Sequence, residues 1–377
     1  MPQTARDLIL NGRFLSRPMT GVDRVAAELS TALLAQLATQ DGPSRRLRLA
    51  LPKAGAQERD NSAQAIAGLL GLDVVPTMAS DGYFWEQVAL WRTAPEDWLL
   101  SFCNMGPVWR TRQVVMIHDA QVFSQPQAYS RKFRAIYNLL QPRVAKRASV
   151  VLTVSDFSRR QLEDHGVVPP GKAIVVHNGV DHIHRISPDA STLARHRLNP
   201  QGYFLAIGTL APHKNLPMLI EVARNRPEGA LPLVVAGGGN ASVFSDHGLI
   251  EGKGVRFLGR VTDGELVALY QGATALAFPS LTEGFGLPPL EAMAHGCPAI
   301  VTTGGAVPEV CGDAALFADP EDPAAWRAAL EVIEANPERR KALAAAGKAQ
   351  AARFTWERAA QKVLAAITAA ETSAAAP

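Results

Sequence analysis

A chain of 377 residues is longer than one ordinary core takes up and fits two or three domains. Its 47% hydrophobic and 19% charged residues exclude a disordered chain, and no apolar run reaches the length of a membrane span. The net charge is only +3, with Lys and Arg in excess in the first half and Asp and Glu in the rest, so an anionic partner is expected for the first half and no nucleic-acid partner for the whole.

No signal peptide is expected at the N-terminus. Met1–Asp7 is polar, and the apolar run Leu8–Leu10 ends at once in Asn11-Gly12-Arg13, which is no signal peptide. Strands are predicted at Asp7–Leu10, Arg46–Leu51, Leu72–Val75, Trp98–Phe102, Gln113–Ile117 and Val150–Val154. Val22, Val25, Ala26, Leu29, Leu33 and Leu37 mark one face of a first helix, which opens at Thr20-Gly21-Val22-Asp23-Arg24. Arg13 and Arg17 lie in the loop before it. Val114–Ile117 ends in His118-Asp119, where the aspartate either orients the ring or caps the next segment.

Residues 131–147 hold six basic residues and no acid, interleaved with Phe133, Ile136, Tyr137, Leu139, Leu140 and Val144. They read as a basic amphipathic helix broken near Pro142. Two readings stay open: it rests on an anionic membrane, or its apolar residues face the core and its basic ones are solvated. His177, His182 and His184 cluster in a loop without carboxylate or thiolate spacing, so no metal site is expected there. Cys103, Cys297 and Cys311 show no C-x-x-C spacing; a disulfide framework is not expected, and a reducing cytoplasm is.

The second half repeats the alternation, with strands at Tyr203–Ile207, Leu233–Ala236, Val255–Leu258, Thr274–Phe278 and Ala299–Thr302. The boundary is placed within Ser187–Gln201, giving domains over 1–190 and 191–354. Helices follow at Ala324–Ala335 and Glu338–Arg353, and a last amphipathic one runs from Thr355 to about Ala369, with Ser373–Pro377 disordered. Alternating β and α units imply parallel sheets with helices on both faces, and ligands beyond the carboxyl ends of the strands.

Three segments there carry chemistry. Gly208-Thr209-Leu210-Ala211-Pro212-His213-Lys214-Asn215 puts a lysine at a strand-to-helix junction, suited to a diphosphate. Gly237-Gly238-Gly239 suggests a nucleotide loop but lacks the dinucleotide pattern, which argues against a nicotinamide dehydrogenase. Pro279–Glu291 joins a buried strand to a helix from Leu287 to Ala294. It sets Glu283 in the loop and Glu291 in the helix, so the two carboxylates suit two parts of one elongated ligand. Gly284 and Gly286 let the backbone approach it closely.

The stretch E-G-F-G-L-P-P-L-E-A-M-A-H-G-C-P from Glu283 resembles the E-x7-E signature of retaining glycosyltransferases of family 4, and the Thr20, His118 and Gly208 segments match further motifs of that family in order. The resemblance implies the GT-B architecture: two Rossmann-like domains with parallel sheets facing a central cleft, and a terminal segment, 355–377, crossing back to the first domain at Phe354-Thr355-Trp356-Glu357. It implies a metal-independent, retaining hexosyltransferase. Glu291 would bind the donor ribose and Glu283 the hexose region. The backbone of Gly284, Phe285 and Gly286, with Leu287 beside it, would meet hexose hydroxyls. Lys214 would bind the pyrophosphate with Thr209 alongside. Arg260 and Val261 would meet the base, Gly21 the donor phosphates or the acceptor, and His118 the transferred sugar. Arg13, Arg17 and Asp119 are acceptor-side candidates. The arginine that usually precedes the lysine is His213 here, and a neutral imidazole gives no bidentate charged contact. No cofactor beyond the sugar-nucleotide substrate is implied. The motif forms resemble bacterial mannosyltransferases of polysaccharide assembly, which points to GDP-mannose first and a UDP-hexose second as donor, and to a glycan or polyprenyl-linked glycan acceptor at the inner membrane face. A sugar-nucleotide epimerase and a catalytically silent glycan-binding scaffold are the alternatives.

Overall fold

In the computed structural model, residues 6–17, 19–39, 45–53, 69, 71–237, 252 and 254–375 are described. The chain forms two compact units, Met1–Gly179 with Thr355–Pro377 and Val180–Phe354. Unit 1 contains β1 (Leu8–Asn11), β2 (Leu47–Ala50), β3 (Trp98–Ser101), β4 (Gln113–Met116), β5 (Val150–Thr153) and β6 (Ala173–Val175), in the order β2-β1-β3-β4-β5-β6. Unit 2 contains β7 (Phe204–Ile207), β8 (Leu233–Ala236), β9 (Val255–Gly259), β10 (Ala275–Phe278), β11 (Ala299–Thr302) and β12 (Leu316–Ala318), in the order β12-β11-β10-β7-β8-β9. Every strand pair is parallel. The central strands are predominantly apolar and buried along their whole length because helices cover both faces.

Each sheet reverses its winding once, and the reversals fix where ligands can bind. In unit 1 the chain steps outward from β1 to β2 and returns to β3; in unit 2 it runs from β7 through β8 to β9 and returns to β10. The crossover connections leave a crevice beyond the carboxyl ends of the strands flanking such a switch point.

Several expectations are corrected. Leu72–Val75 is no strand; it contributes one bridge, Val74 to Leu49. The basic segment is a continuous helix, Arg131–Arg147, with Pro142 inside it. Proline there removes one hydrogen bond, to the carbonyl of Asn138, but Asn138 is exposed, and Val144 and Ala145 pin the helix to the core. The terminal helix runs from Trp356 to Ala375, so Ser373 is helical. It packs along the helix Gly21–Ala38, and Glu371 anchors its far end by accepting from Trp98 Nε1 at 2.8 Å and Arg45 Nη1 at 3.2 Å. The units divide at Gly179/Val180, eleven residues before the sequence boundary at 190/191, because Val180 N–H already donates to Phe354 at 2.9 Å and the turn Asp181–Arg185 packs on the helix Leu287–Ala294. The strands β6 and β12 went unread: each has only three residues and lies at a sheet edge.

Candidate active site

The switch point of unit 2 assembles two predicted residues that lie far apart in sequence. After β7 the chain makes a single turn, Pro212–Lys214, and Asn215 follows at φ 53°, a left-handed conformation that asparagine tolerates better than most residues. Asn215 Nδ2 donates to the carbonyls of Pro279 (3.3 Å) and Pro320 (2.7 Å), tying this turn to the loop after β10. The backbone adds a tie, Leu281 N–H donating to the His213 carbonyl at 2.7 Å. As a result, Lys214 Nζ lies 2.7 Å from Glu283 Oε1, with both side chains largely shielded. The lysine therefore already has a counterion.

The Glu283 loop is clamped from its other side by residues that sequence reasoning passed over. Ala306 N–H donates to the Glu283 carbonyl at 2.9 Å. Gly305 has φ +68°, and a Cβ there would lie 2.4 Å from Glu283 N. The Gly304-Gly305 pair after β11 is a turn signal that was available in the sequence. Gly305→Ala is expected to displace the Glu283 loop and cut turnover by roughly tenfold, about 1–2 kcal/mol for the forced left-handed alanine. Unchanged turnover in the folded variant would show that the clamp does not hold Glu283.

Gly286 starts the helix Leu287–Ala294 at φ 103°, and Phe285 is buried edge-to-face on Phe354 at 5.9 Å between ring centroids. With its ring turned inward, Phe285 has its backbone as the part suited to a ligand. Glu291 is 7% exposed. Tyr270 Oη donates to its Oε2 at 3.0 Å, and His182 Nε2 lies 3.4 Å from its Oε1. Neither Tyr270 nor His182 was read as a partner of this carboxylate, because Tyr270 belongs to the preceding helix and His182 lies over a hundred residues upstream. Thr209 lies between β7 and the Pro212–Lys214 turn. Arg260 is exposed and Val261 half-buried just past β9. Gly237 ends β8 with φ +109°, while Gly238 and Gly239 lie outside the described residues.

In unit 1, His118 follows β4 and is 4% exposed. Its N–H donates to Asn104 Oδ1 at 2.8 Å, and its Nε2 donates to the Phe102 carbonyl at 2.8 Å. Burial outweighs that hydrogen bond and pushes the imidazole pKa down to about 4. The ring is neutral at ordinary pH, with Nδ1 as its lone-pair acceptor. The folded pKa lies below the unfolded value of 6.5, so this group's contribution to stability is present above pH 6.5 and is lost as pH falls toward 4. His118→Ala is expected to lower turnover more than nucleotide affinity, and the parent's turnover should show no ionisation of this ring between pH 5 and 8; near-normal turnover in the variant would make His118 structural. Asp119 Oδ1 accepts from Gln121 N–H at 2.9 Å, one residue before Ala120, the N-cap of the short helix Gln121–Ser124. Arg13 and Arg17 are both paired, with Glu86 at 2.7 Å and Asp23 at 2.6 Å. Gly21 has open space in front of its backbone. Among the described residues, no three His, Cys, Asp or Glu side chains group as metal ligands would.

Two doubly wound parallel sheets, one in each unit, are the architecture of the GT-B class. The family models agree: one described as glycosyl transferases group 1 matches residues 193–350, and one described as glycosyltransferase family 4 matches residues 94–183. The chain is 34% identical over 258 residues to the O-antigen chain mannosyltransferase B of Escherichia coli, covering 65% of this chain and 67% of that one. It is 30% identical over 229 residues to the O-antigen chain mannosyltransferase RfbU of Salmonella typhimurium, covering 60% and 62%. HepE of Anabaena, solved in complex with UDP, matches in fold with a TM-score of 0.70 over 97% of this chain and 100% of that one, at 16% identity. The chain belongs to glycosyltransferase family 4 and is a hexosyltransferase.

Proposed function

We propose that this enzyme moves a hexose, mannose first, from GDP-mannose to a hydroxyl of a glycan or lipid-linked glycan in polysaccharide biosynthesis, with retention and without a metal. The Lys214–Glu283 pair at the unit 2 switch point carries this reading. The names of the two mannosyltransferase relatives support the sugar and the pathway class. The donor's diphosphate takes Lys214, and Thr209 and His213 flank it. Glu291 accepts from the ribose hydroxyls, Arg260 and Val261 meet the base, and Glu283 with the Gly284–Leu287 backbone holds the hexose. The bond from the anomeric carbon to the diphosphate oxygen breaks, through an oxocarbenium-like state. The acceptor oxygen bonds to the same face of that carbon, and its proton leaves with the departing phosphate. Fixed positive charge on the leaving group supplies much of the stabilisation. His118 serves the transferred sugar as a neutral hydrogen-bond acceptor.

The test is nucleotide release by purified protein from a panel of GDP- and UDP-sugars, with and without membrane extract, in excess EDTA. Acceptor-dependent GDP release from GDP-mannose is expected. UDP release would change the donor, and sugar interconversion without acceptor would indicate an epimerase. No turnover would leave a glycan-binding scaffold, and a rate restored only by magnesium or manganese would contradict the metal-free mechanism.

The reading extends to the cytoplasmic face of an anionic membrane. No helix among the described residues is long and apolar enough to cross one, and all three cysteines are free thiols. On the helix Arg131–Arg147 the residues Arg131, Lys132, Arg143, Lys146 and Arg147 are exposed, Leu139 is 53% exposed, and Arg147 lies over the exposed ring of Trp109 at 4.7 Å. Replacing Arg131, Lys132 and Arg143 with Gln is expected to weaken salt-sensitive binding to anionic vesicles by on the order of 100-fold, read by sedimentation, as each basic residue near such a surface contributes about 1 kcal/mol. Equal sedimentation of variant and parent would mark the face as merely solvated.

A further inference from the structure

The His118 ring is fixed at Nε2 by the Phe102 carbonyl, but it hangs from a main chain whose N–H finds a side-chain acceptor, Asn104 Oδ1 at 2.8 Å. Asn104 lies in the loop after β3 at φ 65°, a left-handed conformation that persists in a non-glycine residue only where the surroundings fix it. Its N–H donates to the carbonyl of Met116, the last residue of β4, at 3.0 Å, and its own carbonyl accepts from Gln141 Nε2 at 3.0 Å. The first bond ties the loop after β3 to the end of β4. The second comes from the helix Arg131–Arg147.

Gln141 occupies the inner face of that helix. It is 2% exposed and stands three and four residues before Val144 and Ala145, on their side of the helix. Those two belong to one apolar cluster with Met105 and Ile117, the chain neighbours of Asn104 and His118. The amide is poorly served there, because among the described residues its Oε1 has no hydrogen-bond partner. A glutamine in such a place costs free energy that an apolar side chain of similar volume would not. What the glutamine adds is its donated bond, to the Asn104 carbonyl.

The consequence for His118 is geometric. With Nε2 donating, Nδ1 is the acceptor of the ring, and its one lone pair lies in the ring plane, so a hydroxyl is met only over a narrow range of ring orientations. The Phe102 carbonyl and the Asn104 side chain belong to the same short stretch of chain, so a shift of that stretch moves both holds on His118 together.

We propose that Asn104 and Gln141 are positioning residues for His118, Asn104 holding its main chain and Gln141 holding Asn104 in the left-handed turn. The inference rests on the transferase reading for what the ring serves, but not for how the ring is held.

The experiment combines steady-state kinetics with nitrogen NMR of the imidazoles on the full chain. Gln141→Met, close in volume, is expected to lower turnover roughly 2- to 12-fold, the worth of one neutral hydrogen bond, with nucleoside diphosphate affinity unchanged. Asn104→Gly keeps a left-handed backbone and removes Oδ1, and it should lose a similar factor. Asn104→Asp tolerates the same backbone, keeps the acceptor and should restore most of the loss. In a His118→Ala background neither Gln141→Met nor Asn104→Gly should lower turnover further. The NMR needs no turnover. The His118 signals, identified by their loss in His118→Ala, are expected to show one tautomer protonated at Nε2 in the parent and to move toward an average of the two tautomers in Gln141→Met and Asn104→Gly. Equal losses of turnover with and without His118 overturn the proposal, as do parent-like His118 signals in both variants. Altered His118 signals in a protein that turns over no nucleotide sugar would sink the transferase reading and keep the positioning.

Discussion

Lys214→Met is expected to weaken nucleoside diphosphate binding by roughly 10- to 150-fold, the worth of a charge-assisted hydrogen bond of about 1.5–3 kcal/mol. Turnover should fall further, because negative charge builds up on the leaving phosphate between the bound donor and the transition state. The Lys214–Glu283 ion pair makes a companion experiment decisive. Glu283→Gln removes the lysine's counterion, so nucleoside diphosphate affinity should hold or rise while sugar transfer drops. If both variants lose nucleotide affinity equally, the pair acts only as a structural brace for its two loops, and the pyrophosphate finds its cation elsewhere. Thermal melting guards the interpretation, since Lys214→Met leaves a mostly shielded carboxylate without its ion pair.

Glu291→Ala is expected to weaken ribonucleoside diphosphate binding by roughly 10- to 100-fold, through loss of a charged acceptor for the ribose hydroxyls. The specific signature is chemical. A 2′,3′-dideoxynucleoside diphosphate lacks the groups Glu291 would serve, so its affinity should hardly change between parent and variant. Tyr270→Phe should weaken the ribonucleotide alone, and less, because it removes the hydroxyl that donates to Glu291 Oε2. Equal losses for both nucleotides in calorimetry would place Glu291 in the core and away from the ribose.

The sequence by itself determined the elements and the chemistry available at their ends. Runs such as Val114–Ile117 and Thr274–Phe278 are apolar on both faces, as strands covered by helices must be, and the helix Leu287–Ala294 falls where the pattern put it. Lys214, Glu283, Glu291 and His118 were visible because each follows a strand or belongs to a recognisable segment. Ala173–Val175 and Leu316–Ala318 were not visible, since a three-residue edge strand has too few positions to show a period; Ile174, for example, is 42% exposed.

Only the tertiary structure decided which of these groups meet. Lys214 and Glu283 are 69 residues apart, and no local window contains the reversal that puts the end of β7 beside the end of β10. The same holds for Tyr270 on Glu291, for Gly305 on the Glu283 loop and for Arg13 on Glu86, while the burial of Asp23 settles Arg17. In the sequence the two arginines read as open cations of a basic half. In the fold each is matched by a buried carboxylate, Glu86 by way of a helical segment 73 residues away and Asp23 from the first turn of the next helix. Burial forces such pairing, because an uncompensated carboxylate inside the protein would be too costly to keep, and burial is a property of the packed chain that local sequence does not carry.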